Sequence, residues 1–340
     1  MDLLCDTIRI VLKMDHSLNI EEGEYYVANY QLDHTGAEVD EAIGKALKLS
    51  DDGTAADSAK LGGKAPQYYI QPRNLLDNSD FRNPVNQRGQ TSYTGNGYTI
   101  DRWQFQANDP KTVSIASNGV KVSTLDGTST ARLIQKQASL KEGVYTFAAM
   151  VNGSIKVRLV SFAVGAITTL NNANANYTGG YLEVDIRNGN PSFNLLVNAD
   201  FEVVFEWAAL YEGEYTAETL PPYVPKGYAA ELAECKRFFE RIHGGTNYTL
   251  FLSGYIQSES NAYFVLPFIE KAKVPTSIVA NGNFRIRSVI SYTVSSMTFG
   301  QLTVNNAEVT VISSGMNAKE ACILQANLSP EAYIDIIADL

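Results

Sequence analysis

Between Asn74 and about Leu220 the chain is cut at short intervals by turn-forming clusters. Gly95-Asn96-Gly97, Asn118-Gly119, Asp126-Gly127, Gly179-Gly180 and Asn188-Gly189-Asn190-Pro191 all fall within this stretch. Such clusters accept the positive φ angles of hairpin turns and leave little room for long helices. The segments between them carry the period of strands. Val144 to Val151 is a strand-like run that closes at Asn152-Gly153. Ser154 to Leu159 alternates apolar and charged residues. Phe201, Val203, Phe205 and Trp207 alternate with Glu202, Val204 and Glu206, which predicts one buried and one largely polar face. Many short strands joined in this way predict a sandwich or jelly roll.

Composition agrees with that reading. Charged residues are 19% of the chain, and 26 Asn, 23 Thr, 25 Gly and 19 Tyr take their place. This mix favours strands and tight turns over long charged helices. With 45% hydrophobic residues in 340, the chain can bury more than one core.

Charge and punctuation divide the chain into three sections. Residues 1–72 carry a net charge of −7, against −10 for the whole chain. Within them Thr35-Gly36-Ala37-Glu38 fits a capping box, and Val39, Ile43, Ala46 and Leu47 recur on one helical face to about Lys48. A helix of about four turns is marginal alone, so this stripe must pack on its own chain or on copies of itself. Residues 50–72 read as a connector punctuated by Gly62-Gly63, Pro66 and Pro72. Residues 73–222 form the expected β domain. Pro221-Pro222-Tyr223-Val224-Pro225 marks a boundary, and residues 223–340 open with a predicted helix. Its stripe is Leu232, Cys235, Phe239 and Ile242, and Gly244-Gly245 stops it. Strands are expected at Tyr263 to Phe268, Phe284 to Arg287, Ala307 to Ile312 and Tyr333 to Ala338, giving a second sandwich. The expected fold class is therefore mainly β: two consecutive jelly-roll-like β-sandwiches after a short N-terminal helical assembly segment.

Several functions are disfavoured. The acidic balance argues against a nucleic-acid partner. No stretch approaches the roughly 20 apolar residues of a membrane helix. The start of the chain has no signal-peptide pattern, so synthesis in a cytoplasm is expected. Cys5, Cys235 and Cys322 are too few and scattered for a disulfide framework, and with His16, His34 and His243 they make no zinc pattern. His243 is read as a residue at a helix end, complementing the helix dipole. No phosphate loop, nucleotide fingerprint or hydrolase elbow is present.

Glycoside hydrolysis would need paired carboxylates. Asp77 with Asp80, Glu202 with Glu206, and Glu212 with Glu214 are close in sequence, but spacing alone gives no separation in space. Aromatic residues are more suggestive. Tyr93, Tyr98, Trp103 and Phe105 cluster early in the first β domain, and Tyr177 and Tyr181 sit in an Asn/Gly-rich stretch, Asn171 to Gly180. Trp103 and Trp207 are expected in the core. Tyr93, Tyr98, Tyr177 and Tyr181 are the candidate glycan ligands, the first three read as loop residues, because sugars offer apolar C–H faces and polar rims to such rings.

Motifs in a fixed order carry a resemblance. Residues 30–40 (Tyr-Gln-Leu-Asp-His-Thr-Gly-Ala-Glu-Val-Asp) and the connector around Leu61-Gly62-Gly63 resemble stretches of tail proteins from tailed bacteriophages and prophages. Asn74-Leu75-Leu76-Asp77-Asn78-Ser79-Asp80-Phe81, then Asn86-Gln87-Arg88-Gly89 and Asp101-Arg102-Trp103, are similar to the opening of a jelly-roll module in those proteins. Leu220 to Pro225, Glu231 to Phe239 and Ile334 to Leu340 resemble the region C-terminal to that module. The resemblance implies a non-enzymatic virion protein of a tail fibre, baseplate or tail-like particle. It implies a homotrimer in which Val39, Ile43, Ala46 and Leu47 face the axis. It also implies attachment to other tail proteins through the N-terminal segment, and β-sandwiches that bind host-surface carbohydrate. No catalytic residue, cofactor or metal ligand carries over, and calcium, common in jelly-roll sugar binders, is left open. A glycan-degrading tail enzyme and a purely structural baseplate part are the alternatives.

Overall fold

The computed structural model describes residue 37 and residues 72–339, apart from 109, 110, 126, 138, 139, 164, 172 and 173. Ala37 is helical and exposed; Val39, Ile43, Ala46 and Leu47 lie outside the described residues. The chain is mainly β, built from several antiparallel sheets.

The first sheet has seven strands in the order β1 (Ser92–Thr94), β4 (Thr112–Ala116), β5 (Gly119–Ser123), β13 (Glu202–Glu212), β7 (Gly143–Val151), β8 (Ser154–Ala163), β9 (Ala166–Asn171). The second has six: β10 (Asn176–Tyr177), β11 (Gly180–Arg187), β12 (Asn190–Val197), β6 (Ala131–Lys136), β3 (Gln104–Ala107), β2 (Gly97–Tyr98). One hydrophobic cluster draws on both. Val113, Val122, Phe147, Val203 and Phe205 come from the first sheet, and Phe105, Leu133, Leu182, Phe193 and Leu195 from the second. The turn signals act as expected: Asn152-Gly153 and Asn188-Gly189 have φ of 47° and 74°, and 52° and 77°, joining β7 to β8 and β11 to β12. Gly180 serves a second purpose, since a Cβ there would lie 1.9 Å from the Leu196 carbonyl oxygen.

Strand β13 departs from simple alternation. Val203 and Phe205 face the shared core, but the register with β7 slips between Phe205 and Trp207. This bulge inserts Glu206 and exchanges the faces. Beyond it Ala208 and Leu210 point to the shared core, whereas Trp207, Ala209 and Tyr211 join a separate cluster with Ala148, Val157 and Leu220. Trp207 is buried, as expected, but on the opposite side from Phe205. The segment after β13 covers that side, with Tyr223 stacked on Trp207 at 4.7 Å and 4°.

The expected helix is shorter than its apolar stripe. Helix α1 spans Tyr228–Lys236, and Phe239 and Ile242 belong to strand β14 (Phe239–His243). The stripe Leu232, Cys235, Phe239, Ile242 is thus split, because Phe239 to His243 pair residue by residue with β23 (Tyr333–Ile337). Tertiary pairing overrides the helical period. His243 therefore closes a strand and not a helix. β14, β23 and β17 (Ser277–Asn281) form a three-stranded sheet. The last sheet orders β19 (Ser291–Thr293), β18 (Phe284–Arg287), β22 (Ala321–Ala326), β15 (Leu250–Ile256), β16 (Asn261–Pro267), β21 (Asn306–Ile312), β20 (Ser296–Gly300). Phe264, Val309, Leu324, Ile334 and Ile336 are part of the core these two sheets share.

The motifs around Asn74, Gln87, Asp101, Glu231 and Asp339 meet in one buried junction. Asn78, with φ of 50°, spends its side chain on Val85 (N–H and carbonyl, 2.7 and 2.8 Å) and on the Asp101 carbonyl (2.7 Å). Its own N–H donates to Glu231 Oε2 (2.7 Å), and its carbonyl accepts from Trp103 Nε1 (2.8 Å). Gln87 caps the outer edge of β14, donating to the Phe239 carbonyl (2.8 Å) and accepting from the Arg241 N–H (3.4 Å). Arg102 pairs with Asp77 (3.1 Å) and lies 3.5 Å over the Phe238 ring. Arg241 holds Asp335 with two bonds of 2.7 Å. Replacing Asn78 with Ala orphans several buried groups at once, so Asn78→Ala should lower unfolding stability by about 3 kcal/mol or more. A urea titration showing a loss under about 1 kcal/mol would remove Asn78 from this role.

Candidate functional site

The four tyrosines separate into two pairs. Tyr93 lies on β1, not in a loop; it is buried in the shared core and its hydroxyl donates to Asn86 Oδ1. Tyr177 lies on β10, packs edge-on against Phe205 at 6.1 Å and donates to the Leu196 carbonyl (2.6 Å). Burial pushes both phenols up, Tyr177 far above the ordinary range. Tyr98 and Tyr181 are on strands as well, β2 and β11, and both are half-buried.

Registers place these last two on one face of the six-stranded sheet. Tyr98 is opposite Gln104, Gln104 opposite Ile134, Ile134 opposite Asn194, and Asn194 opposite Glu183. The next row runs Gln106, Arg132, Leu196, Tyr181. A third holds Lys136, Ser192 and Asp185. Alternation turns all of these away from the core that Phe105, Leu133, Phe193 and Leu182 enter.

This face is a polar lattice. Glu183 Oε2 accepts from Arg132 Nε (2.8 Å) and Asn194 Nδ2 (3.0 Å). Arg187 pairs with Asp185 (2.9 Å) and donates to Gln106 (2.9 Å). Ser192 and Asn194 on the central strand β12 are fully buried, whereas the Arg132, Glu183, Arg187 and Asp185 side chains keep 22–34% exposure. The floor thus runs along β12 with charged groups at its sides. Arg158 of β8, opposite Phe147 and so on the core side of the first sheet, donates to Thr169 Oγ1 (3.1 Å); its Nε is buried without a hydrogen-bond partner among the described residues, and burial lowers its pKa while Glu183 opposes the shift. Planar guanidinium, carboxylate and amide groups held by one another are suited to vicinal hydroxyls, and Tyr181 borders them with a ring.

The sequence reading missed Arg132, Glu183, Asn194, Asp185 and Arg187. Their partners are 51 residues apart for Arg132 and Glu183 and 81 for Arg187 and Gln106. The available signal was the alternation Glu183-Val184-Asp185-Ile186-Arg187, which reads equally as a solvated strand face. A second aromatic surface was also missed: Tyr255 and Tyr263, opposite each other on β15 and β16, stack at 5.9 Å and 26°, and Tyr255 is 52% exposed.

The paired carboxylates do not converge on a cleft. Asp77 is held by Arg102 and Lys226, Asp80 by Arg82, and Glu202 by Lys121. Glu206 accepts from the Gly153 N–H, and Glu212 and Glu214 are exposed. Two surface depressions, of about 320 and 530 Å³, lie beside Pro222 and along β17; neither is lined by a carboxylate. Among the described residues no group of three or more His, Cys, Asp or Glu could hold a metal ion, and no helix is long and apolar enough to cross a membrane.

No protein-family model, no curated protein and no solved structure matches this chain.

Tyr177→Phe should cost about 1 kcal/mol in urea unfolding, since it removes the hydrogen bond to the Leu196 carbonyl, whereas Tyr181→Ala should cost less than Tyr177→Ala. Equal losses for the two alanine variants would contradict the division into a core pair and a face pair.

Proposed function

We propose that this chain is a non-enzymatic structural protein of a bacteriophage tail or phage-tail-like particle, which binds host-surface glycan as a homotrimer. The observation that carries the reading is the polar lattice of Arg132, Glu183 and Asn194 bordered by Tyr181. Sugar hydroxyls need paired donors and acceptors, and sugar C–H faces need a ring; this face supplies both. The resemblance of the 74–103 and 220–239 motifs to phage tail proteins supports the virion assignment. The order β1-β4-β5-β13-β7-β8-β9 against β10-β11-β12-β6-β3-β2 around one core supports a jelly-roll sandwich for the first half, and the two sheets of the second half support another.

In this reading the acidic N-terminal segment trimerises through Val39, Ile43, Ala46 and Leu47 and attaches to other tail proteins. Three copies of a weak sugar site then act by avidity. The protein is made in the host cytoplasm and resides in the virion.

The test is a broad array of glycans and bacterial cell walls, with mass measured by light scattering in parallel. The wild type should be trimeric and bind saturably, competed by free sugar. Arg132→Ala removes charge-assisted bonds and should weaken binding about tenfold or more. Loss on Tyr255→Ala with Arg132→Ala unchanged would move the site to the second aromatic surface. Release of reducing ends would favour a glycan-degrading enzyme, and no binding by a trimer would favour a structural baseplate part. Ile43→Asp should lower the oligomer mass; an unchanged trimer would remove that helix from assembly.

A further inference from the structure

Within the buried junction most charges pair off. Arg241 matches Asp335, and Arg102 and Lys226 are set against Asp77 and Glu231. One cation is left between two carboxylates. Arg88 Nη1 bonds Asp101 Oδ1 at 3.2 Å, and Nη2 bonds Asp339 Oδ2 at 3.0 Å. The two carboxylates come from different halves of the fold, one beside Trp103 and the other just past β23. Both are buried, with side-chain exposures of 0% and 4%.

Their hydrogen bonding is unequal. Asp101 also accepts from the Gln87 N–H (3.3 Å) and Gln87 Nε2 (2.6 Å). Asp339 Oδ1 is buried and has no hydrogen-bond partner among the described residues. The Arg88 side chain keeps 15% exposure, and its guanidinium lies 3.8 Å over the Phe239 ring and 5.4 Å from the Tyr98 ring. If both carboxyls ionise, the group keeps one uncompensated negative charge in a desolvated place, which is costly.

We propose that Asp101, Arg88 and Asp339 form a proton-operated joint between the two halves, holding one shared proton under mildly acidic conditions and loosening when that proton leaves. The groups facing the pair do not replace that proton. Tyr93, Tyr98 and Cys235 are held neutral by burial, which pushes each of their pKa values up. Arg102 is committed to Asp77 and the Lys136 carbonyl, and Lys273 is half-exposed. Burial, opposed by Arg88, pushes Asp101 up to about 6 and raises Asp339.

An unfolded Asp has released its proton above about pH 4, while folded Asp101 keeps it to about pH 6 and Asp339 is shifted in the same direction. The stabilisation is complete below about pH 4 and is lost as the pH rises through about 6. Acid therefore tightens this joint, the reverse of an ordinary surface ion pair.

Hydrogen exchange at the amides that cross the junction, Asn78 and Arg241, reads the joint directly. After correction for intrinsic exchange, full-length protein should be about tenfold more protected at about pH 5 than at about pH 7.5, one pKa unit of coupling. Asp339→Asn keeps an acceptor for Arg88 and removes the surplus charge. It should be at least as protected as wild type at about pH 7.5 and should lose most of the pH dependence. Lower protection of Asp339→Asn at about pH 7.5, with the acid effect intact, would overturn the proposal in favour of a plain ion pair. If that variant does not fold, the infrared carbonyl band of a buried protonated carboxyl decides. Its presence in wild type at about pH 5 and loss by about pH 7.5 is the expected result, and its absence throughout would sink the joint.

Discussion

Arg88 is the side chain on which both halves of the fold converge. Its guanidinium reaches Asp101 and Asp339, lies on Phe239, and its own carbonyl accepts from Arg241 Nη1 at 2.9 Å. A guanidinium set between two buried carboxylates is tolerated when its donors are matched and its faces are largely covered. Satisfying those conditions fixes where the loop after Phe81 lies against β14 and β23. Gln87 and Asn78 extend the same arrangement by spending side-chain amides on backbone groups that no strand would pair.

A second constraint acts inside the first half. The bulge at Glu206 lets one strand serve two cores, because it exchanges faces midway. Without it, Trp207 would follow Phe205 into the shared core. With it, Trp207 takes Tyr223 as a stacking partner, and the chain leaving β13 is pinned across the outside of the sheet toward α1. The polar face of the six-stranded sheet lies on the other side of the shared core.

Much of the fold was legible. Asn152-Gly153 and Asn188-Gly189 mark hairpins because their backbone angles admit few other residues. Phe284–Arg287 and Tyr333–Ile337 were readable from alternation alone. The helix was not, since the i, i+3, i+4 spacing of Leu232, Cys235, Phe239 and Ile242 cannot reveal that a strand 94 residues from Arg241 pairs with its second half. The candidate site was legible only in part. Tyr181 falls on the polar face and Tyr98 lies beside Arg88 at the junction, but Tyr93 is a core residue and Tyr177 packs half-buried against that core, because a half-polar ring can fill apolar space when its hydroxyl finds a partner.

The sequence by itself determined the strand period, the turns, the β-rich class and the motifs that belong together. These are local properties, set by backbone angles and by which residues are apolar. Tertiary structure alone decided which face each tyrosine occupies, that the conspicuous Asn, Gln, Arg and Asp motifs serve a buried junction, and that Arg132 meets Glu183. Those outcomes depend on register, on one inserted residue and on pairings across long loops. None of these changes the local pattern from which a sequence is read.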